Sequence, residues 1–191
     1  MSSAQQTLSS ETLRRHRLTV EDYYKMGEAG IFTEKDRVEL IEGEIIDMVP
    51  IGSQHAYTIN KILNHFLMKQ LFGDVIVRIQ DPLRLDQYNE PEPDIALVTN
   101  KDYSNHHPGP ADTLLVIEVA DSSLSYDIDI KTPLYARHHI PEVWVINLMD
   151  KKIHIFSDPA NGAYQNTHEI TTGKLSPTRV DSFVLDLVEL W

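Results

Sequence analysis

Hydrophobic residues recur along the chain at spacings that alternate between those of helices and those of strands. Helical spacing covers the segment after Thr19 and a longer one that begins at Ser53, whose apolar positions are Ala56, Ile59, Ile62, Leu63, Phe66 and Leu67. Thr19 and Asp22 form a predicted capping pair for the first helix. The second helix is predicted to run to about Phe72, with Gly73 ending it.

Strand spacing dominates the rest of the chain. Apolar runs on both sides of Glu42-Gly43 predict a β-hairpin over residues 38–48. Further strands are predicted over residues 74–85 (with a kink at Pro82), 92–99, 113–120, 142–148 and 151–157, and the tail from Tyr164 predicts one or two short ones. The run over 113–120 is apolar at successive positions, which is typical of a central strand buried on both faces.

A third helix is predicted over residues 126–138, weakened locally by Pro133. The resulting order of helix, hairpin, helix, three strands, helix and strands predicts an α/β fold with a mixed sheet flanked by helices. A chain of 191 residues suits a single core. We therefore expect one domain over residues 18–191, preceded by a polar, disordered lead-in over residues 1–17.

Composition narrows the chemistry. The chain has no cysteine, so disulfides and thiolate metal sites are excluded. It has no apolar run of roughly 18 residues and no apolar stretch of a secretory signal, so we expect a cytoplasmic protein with no membrane partner. The formal net charge of −12 argues against a protein that coats nucleic acid through a basic surface, but is compatible with carboxylates gathered around a divalent cation.

Two carboxylates stand out on the predicted central strands. Asp94 follows Pro93 at the start of one strand, and Glu118 lies within the apolar run of the next. A carboxylate buried without a cation is costly, so Glu118 needs either a metal ion or Lys131, which follows on the next helix. Two carboxylates with a main-chain carbonyl, that of Val119, would form a hard-oxygen site suited to Mg²⁺ or Mn²⁺.

At this point the sequence resembles a known family. The segments over residues 90–98, 114–127 and 131–147 are similar to a large bacterial family of restriction endonucleases in the PD-(D/E)xK nuclease superfamily. The segments over 38–48 and 77–85 match it as well. Where that motif has its lysine, this chain has Ala120, and Lys131 on the following helix stands in for it.

The resemblance implies a restriction-endonuclease-like fold and divalent-metal hydrolysis of DNA. It gives Asp94 and Glu118 the role of metal ligands and Lys131 a role toward the attacking water or the charge of the transition state. Glu39, Glu44 and Gln80 also match family positions, and we take Glu39 and Gln80 as secondary candidates for the site. A homodimer is expected because restriction-like folds that cut both strands pair two active sites, and because the apolar strands over 142–148 and 151–157 suggest an exposed edge that needs cover.

Two other functions fit the same residues. The first is a nuclease fold without activity that serves as a binding module, in which Glu118 and Lys131 form a structural ion pair. The second is a hydrolase of a small phosphodiester, which an acidic surface would repel less than a long polyanion. His55 is interpreted as a capping or solvated residue with a possible phosphate contact, the pairs His106-His107 and His138-His139 as surface residues, and Asp127 as a helix-start residue.

Overall fold

The N-terminal part of the structure is a capped helix followed by a hairpin. The structure is a computed structural model that describes residues 15–33, 35–68, 75–180 and 183–191. Helix α1 spans Val20–Glu28 and begins with the predicted capping box of Thr19 and Asp22. Strands β1 (Val38–Ile41) and β2 (Glu44–Asp47) pair antiparallel. Glu42 and Gly43 both have positive φ at the turn, and a Cβ on Gly43 would lie 2.7 Å from Arg17 Cβ, so glycine is required there.

The end of the predicted lead-in contacts this hairpin. Arg15 Nη1 lies 2.9 Å from Glu44 Oε1, and Arg17 Nε donates to the Glu42 carbonyl at 2.8 Å. The Arg17 guanidinium also lies 4.1 Å from the centre of the Tyr88 ring. Residues 1–14 of the lead-in lie outside the described residues.

Helix α2 spans Ser53–Met68, and its predicted end near Gly73 lies outside the described residues. Strand β3 covers Val75–Ile79, so the predicted strand over 74–85 is too long at its C-terminal end. Gln80 has a φ of 50°, which turns the chain out of the extended conformation before Pro82 is reached. Residues 81–85 carry no sheet strand.

A six-stranded mixed sheet forms the centre of the structure. It consists of β3, β4 (Ile95–Thr99), β5 (Thr113–Ala120), β6 (Glu142–Asn147), β7 (Lys152–Ala160) and β8 (Ala163–Ile170), in that spatial order. Neighbouring strands are antiparallel except β5 and β6, which are parallel. The predicted strands on both sides of the Asp150-Lys151 turn are confirmed as β6 and β7.

The crossover from β5 to β6 is helical, as predicted, but it is not one regular helix. It consists of α3 (Leu124–Tyr126), a π-helical turn over Asp127–Lys131 and α4 (Thr132–Arg137). Pro133 has no backbone N–H and stands in the first turn after the π-helical turn. A proline is tolerated in the first turn of an α-helix.

Two apolar layers cover the two faces of the sheet. One face packs against α2 and the C-terminal segment through residues such as Ile62, Ile117 and Phe183. The other face packs against the hairpin and α4 through residues such as Ile41, Val116, Ala120, Leu134 and Tyr135. Side chains alternate along β5, so Glu118 points to the face that α4 covers.

The C-terminal segment differs from the prediction in one respect. After β8 it forms β9 (Lys174–Leu175) and β10 (Leu185–Asp186), which pair with each other, and a short helix, α5 (Leu187–Leu190). The sequence had suggested strands alone. The Asp186 side chain caps α5 by accepting from the Val188 N–H at 3.0 Å. No helix in the described part of the chain is long and apolar enough to cross a bilayer.

The strands over 142–148 and 151–157, which the sequence predicts to form an exposed edge, lie inside the sheet. Strand β6 pairs on both sides, with β5 and β7, and β8 covers the outer side of β7. The two sheet edges are β3 and β8, and most side chains of β8 are exposed. The apolar residues of β6 and β7 belong to the core, so they give no support to a dimer interface.

Candidate active site

A cleft of about 520 Å³ opens at the end of the sheet where β4 begins and β5 ends. Its lining comes from the hairpin, the first turn of α2, the two strands and the segment that leads into the π-helical turn. Seven carboxyl side chains line it: Glu39, Asp47, Glu92, Asp94, Glu118, Asp121 and Asp127. Among the described residues, the basic side chains that line it are Arg37, Lys131 and His55. The cleft therefore carries a concentration of negative charge at its floor.

Asp94 and Glu118 lie opposite one another at this floor. Strands β4 and β5 pair with Ile95 facing Ile117, so the same register continued by one residue sets Asp94 against Glu118. The Asp94 N–H donates to Glu118 Oε2 at 3.3 Å, and the Val119 N–H donates to Asp94 Oδ2 at 2.8 Å. The two carboxylates predicted from the sequence are thus brought together by strand pairing.

Lys131 reaches the same point from the helical crossover. Its Nζ lies 3.1 Å from Glu118 Oε1 and 3.3 Å from Glu39 Oε2, and it donates to the Glu92 carbonyl at 3.4 Å. Burial lowers the pKa of this ammonium, but the carboxylates of Glu118 and Glu39 outweigh that effect and hold it well above its usual value. Lys131 is therefore a permanent positive charge between two buried acids.

Glu39 joins this cluster, whereas Glu44 does not. The Tyr126 hydroxyl donates to Glu39 Oε1 at 3.0 Å, and the Glu92 N–H donates to Glu39 Oε2 at 3.0 Å. Glu44 is exposed on the other strand of the hairpin and pairs with Arg15. Gln80 donates through Nε2 to Asp94 Oδ1 at 3.3 Å, so it too lies at the site.

Glu118 is among the most deeply buried carboxyl groups of the cleft. The Tyr135 hydroxyl, which is fully buried, donates to Glu118 Oε1 at 2.7 Å. Burial raises the pKa of Glu118 to about 8, and the Lys131 ammonium opposes this rise. A further cation beside Glu118 would therefore stabilise its ionised form.

Asp94 has the opposite tendency. Burial raises the pKa of Asp94, but the hydrogen bond and charge of His55, together with the Val119 N–H, outweigh burial and hold the pKa below its usual value. His55 Nε2 lies 3.0 Å from Asp94 Oδ2. The Asp94 carboxylate is therefore ionised and ready to accept a cation.

Comparison with known proteins places this geometry in a family. The model of the Uma2 family, described as "Putative restriction endonuclease", matches residues 20–184. The chain belongs to the Uma2 family. No curated protein matches it.

The fold of this Uma2 member is similar to that of a solved structure. It is the crystal structure, at 1.96 Å resolution, of a "putative nuclease belonging to DUF820" from Anabaena variabilis ATCC 29413. The TM-score is 0.71 at 13% sequence identity, and the match covers 91% of this chain and 97% of the other. At this identity the likeness shows the fold, and it confirms the predicted restriction-endonuclease-like α/β architecture.

The donor set of the Uma2 cleft fits a hard divalent cation. Asp94 and Glu118 offer carboxylate oxygens on adjacent strands, which is the chemistry that Mg²⁺ and Mn²⁺ prefer. Among the described residues, no group of three or more histidine or acidic side chains is gathered for a metal ion. An ion at this position would complete its coordination shell with water, substrate oxygens and a main-chain carbonyl. That this carbonyl belongs to Val119 stays a prediction.

Sequence reasoning underestimated two residues of the site. His55 was interpreted as a capping or solvated residue, but its ring meets Asp94, and its Nδ1 is buried without a hydrogen-bond partner among the described residues. Asp127 begins the π-helical turn, as the helix-start interpretation predicts, but it is also buried and accepts from Ser123 Oγ at 2.6 Å. The contact of His55 with Asp94 joins distant segments, so no local pattern could have revealed it.

The paired histidines lie elsewhere, in agreement with the prediction. His107 Nδ1 lies 3.4 Å from Arg78 Nη2, and His138 Nε2 lies 3.7 Å from Asp86 Oδ2. Neither His106-His107 nor His138-His139 contributes a residue to the lining of the cleft. They are not candidates for metal ligands at this site.

Proposed function

We propose that this protein is a Mg²⁺- or Mn²⁺-dependent endonuclease that hydrolyses phosphodiester bonds of DNA. The observation that carries the proposal is the pairing of Asp94 with Glu118 across β4 and β5, with the Lys131 ammonium 3.1 Å from Glu118. Membership of a family described as "Putative restriction endonuclease" supports it. The fold of a solved "putative nuclease" is consistent with it.

Each residue has a role that follows from its position. Asp94 and Glu118 would hold the ion, with the Val119 carbonyl as a further ligand. A bound divalent ion would polarise the phosphodiester and lower the pKa of a bound water. Lys131 would orient the attacking water or stabilise the negative charge that develops on the phosphate. Glu39 and Gln80 would position these residues, since Glu39 contacts Lys131 and Gln80 contacts Asp94.

The charge of the cleft explains why a cation is needed. Seven carboxyl groups and three basic side chains line it, so a DNA phosphate would be repelled from the floor in the absence of an ion. A divalent cation held by Asp94 and Glu118 would place positive charge at the floor and weaken this repulsion. The net charge of −12 is then compatible with a nuclease whose attraction for its substrate is confined to the loaded site.

Hydrolysis of a labelled plasmid and of bis(4-nitrophenyl) phosphate tests the proposal. We expect nicking or linearisation of the plasmid with Mn²⁺ or Mg²⁺ and none after chelation. Asp94→Asn should lose this activity, whereas Glu44→Gln, which changes a hairpin carboxylate outside the cleft, should keep it. Turnover of the small diester without any cleavage of DNA would contradict the proposed substrate and favour a hydrolase of small phosphodiesters.

The ion pair of Glu118 with Lys131 favours a second function. Lys131 already neutralises part of the charge of two carboxylates, Glu118 and Glu39. A nuclease fold that has lost activity could keep this pair for stability and serve as a DNA- or protein-binding module. Isothermal titration with Mn²⁺ separates the two, because an intact site binds the ion and a retired one does not.

We further propose that the active form is a homodimer. The support is chemical, because cutting both strands of a duplex is achieved most simply by two copies of one site related by twofold symmetry. The buried positions of β6 and β7 remove the other reason that the sequence had offered. Light scattering over a tenfold range of concentration should give the mass of two chains, and a constant monomer mass would contradict the proposal.

A further inference from the structure

Arg37 is a cation at the cleft whose guanidinium forms no hydrogen bond or salt bridge with the residues that the structure describes. It is half-buried, directly precedes β1 and lines the cleft. Burial raises the pKa of the Glu92 carboxyl group, and the Arg37 charge opposes this rise, but from beyond ion-pairing distance. Lys131 is different, because it contacts Glu39, Glu118 and the Glu92 carbonyl. Arg37 therefore has donors to offer to a ligand.

An apolar wall stands in the same cleft. It consists of Met48, Val49, Pro50 and Ile51, the segment between β2 and α2. Val49 is 57% exposed and Ile51 is 42% exposed, although both line a cleft whose other residues are largely polar. Exposed apolar side chains that are grouped beside polar ones are typical of a binding site. The wall offers a surface for the face of a planar group.

The floor of the cleft is recessed. Glu118 is 2% exposed and Lys131 is 3% exposed, so a phosphate must enter the cleft to approach them. The volume of about 520 Å³ is that of a small-molecule site. It accommodates a nucleotide of one strand, whereas a base inside a duplex must leave the stack before it can enter a cleft of this size.

Together these features lead us to propose that the cleft binds one unpaired nucleotide of a DNA strand. The phosphate lies on the Arg37 guanidinium and the base lies against the apolar wall of residues 48–51. Arginine presents a planar fork that matches two phosphate oxygens, and apolar side chains pack on the faces of bases that have left the stack. This inference rests on the proposed function and specifies its substrate as single-stranded or locally unpaired DNA.

Three substrates of one sequence test it. They are a fluorescent single-stranded oligonucleotide, its fully paired duplex, and the duplex with an unpaired bulge at its centre. With Mn²⁺, we expect the single strand and the bulge to be cleaved at least tenfold faster than the paired duplex. Fluorescence anisotropy with Ca²⁺ in place of Mn²⁺ should give the same order of affinity.

Variants then assign the two parts of the subsite. Arg37→Ala should weaken binding of the single strand by at least fivefold, with partial recovery in Arg37→Lys. The matched control is Arg179→Ala, which removes an exposed arginine outside the cleft. The double change Val49→Ser and Ile51→Ser should lower the ratio of single-strand to duplex cleavage. Its control is Met149→Ser, which changes a side chain that is 77% exposed elsewhere on the surface.

The outcomes separate this inference from the proposed function. Cleavage of the paired duplex as fast as the single strand would overturn the inference and leave the nuclease proposal standing. Absence of cleavage of every substrate would overturn the nuclease proposal, and the anisotropy series would then decide the inference alone. Equal affinity of Arg37→Ala and Arg179→Ala for the single strand would overturn it in either case.

Discussion

Tyr126 and Lys131 contact the two oxygens of a single carboxylate, that of Glu39, at 3.0 Å and 3.3 Å. Residues five positions apart lie about 140° apart around a regular α-helix, so an ordinary helix would point these two side chains in different directions. The π-helical turn over Asp127–Lys131 widens the helix between them and brings them to the same side. The π-helical turn therefore places the Lys131 side chain in the cleft.

Removal of a proposed ligand should abolish metal binding while the fold survives. Asp94→Asn and Glu118→Gln each replace a carboxylate by an amide of nearly the same shape, and the site has few other protein ligands. We expect Mn²⁺ affinity, measured by titration calorimetry, to fall at least tenfold in both. Glu44→Gln, an exposed carboxylate of the hairpin, is the control and should bind like the unaltered protein. Unchanged affinity in both site variants would show that the ion binds elsewhere.

Lys131→Ala should lower both turnover and stability. If the ammonium acts on the water or on the developing charge, hydrolysis should fall by roughly 10²-fold. Glu39 and Glu118 would also lose their shared partner, so the metal-free protein should lose about 3–5 kcal/mol of unfolding free energy. Lys131→Arg should restore little of the turnover, because a planar guanidinium differs in shape from a compact ammonium.

Lys152→Ala is a matched control for this change. Lys152 Nζ lies 3.1 Å from Glu169 Oε2 in a pair at the surface, so its removal should alter stability by less than about 1 kcal/mol. Full hydrolysis by Lys131→Ala at saturating Mn²⁺, combined with a loss of stability, would show that Lys131 has a structural role alone.

Tyr135→Phe should destabilise the protein more than Tyr164→Phe. The Tyr135 hydroxyl donates to the Glu118 carboxylate at 2.7 Å, and the Tyr164 hydroxyl donates to the Ile140 carbonyl at 2.8 Å. Hydrogen bonds to charged acceptors are roughly twice as strong as neutral ones, so we expect losses of about 2–3 and about 1 kcal/mol. Urea unfolding at pH 9, above the pKa of about 8 of Glu118, measures both, and equal losses would argue against a charged Glu118 at that pH.

Asp127 should make stability depend on pH. Burial raises the pKa of Asp127 to about 6, although Lys131 and the hydrogen bond from Ser123 oppose the rise. An acid whose pKa is higher in the folded state stabilises the protein while it is protonated. This contribution is present below the ordinary pKa of 3.8 and is lost as the pH rises through about 6.

Asp127→Asn should remove this dependence. Relative to the unaltered protein, the variant should gain up to about 3 kcal/mol of unfolding free energy between pH 4 and pH 7, because it cannot ionise. Asp129→Asn is the control, since Asp129 is exposed two residues further along. Parallel stability curves for the unaltered protein and Asp127→Asn would contradict the assignment.

Features that depend on neighbouring residues were predictable from the sequence. The capping box of Thr19 and Asp22, the hairpin turn at Glu42-Gly43 and the buried strand β5 each have a local signal. Asp94 and Glu118 could be paired in advance because they lie on strands that were themselves predictable. The family resemblance supplied the candidates Glu39 and Gln80, which the structure brings to the cleft.

Other features depend on contacts that no short window contains. His55 meets Asp94 across 39 positions of the chain, and the π-helical turn arises where the crossover helix must fit both the core and the acids. The left-handed conformation of Gln80, which shortens β3, occurs at a residue type with no strong preference for it. These parts of the structure are determined by tertiary packing.

Lys131 lies on the helical crossover, whereas Asp94 and Glu118 lie on the sheet. The site therefore combines residues from two parts of the structure that differ in local stability. The carboxylates of Asp94 and Glu118 are fixed by the hydrogen-bond ladder of β4 and β5, and we expect these central strands to open only when the whole sheet unfolds. The ammonium is carried by a single irregular turn, which can open while the sheet stays closed. Amide exchange should therefore be faster over Asp127–Lys131 than over β5, and each such opening would withdraw the lysine from the acids and leave the acids in place.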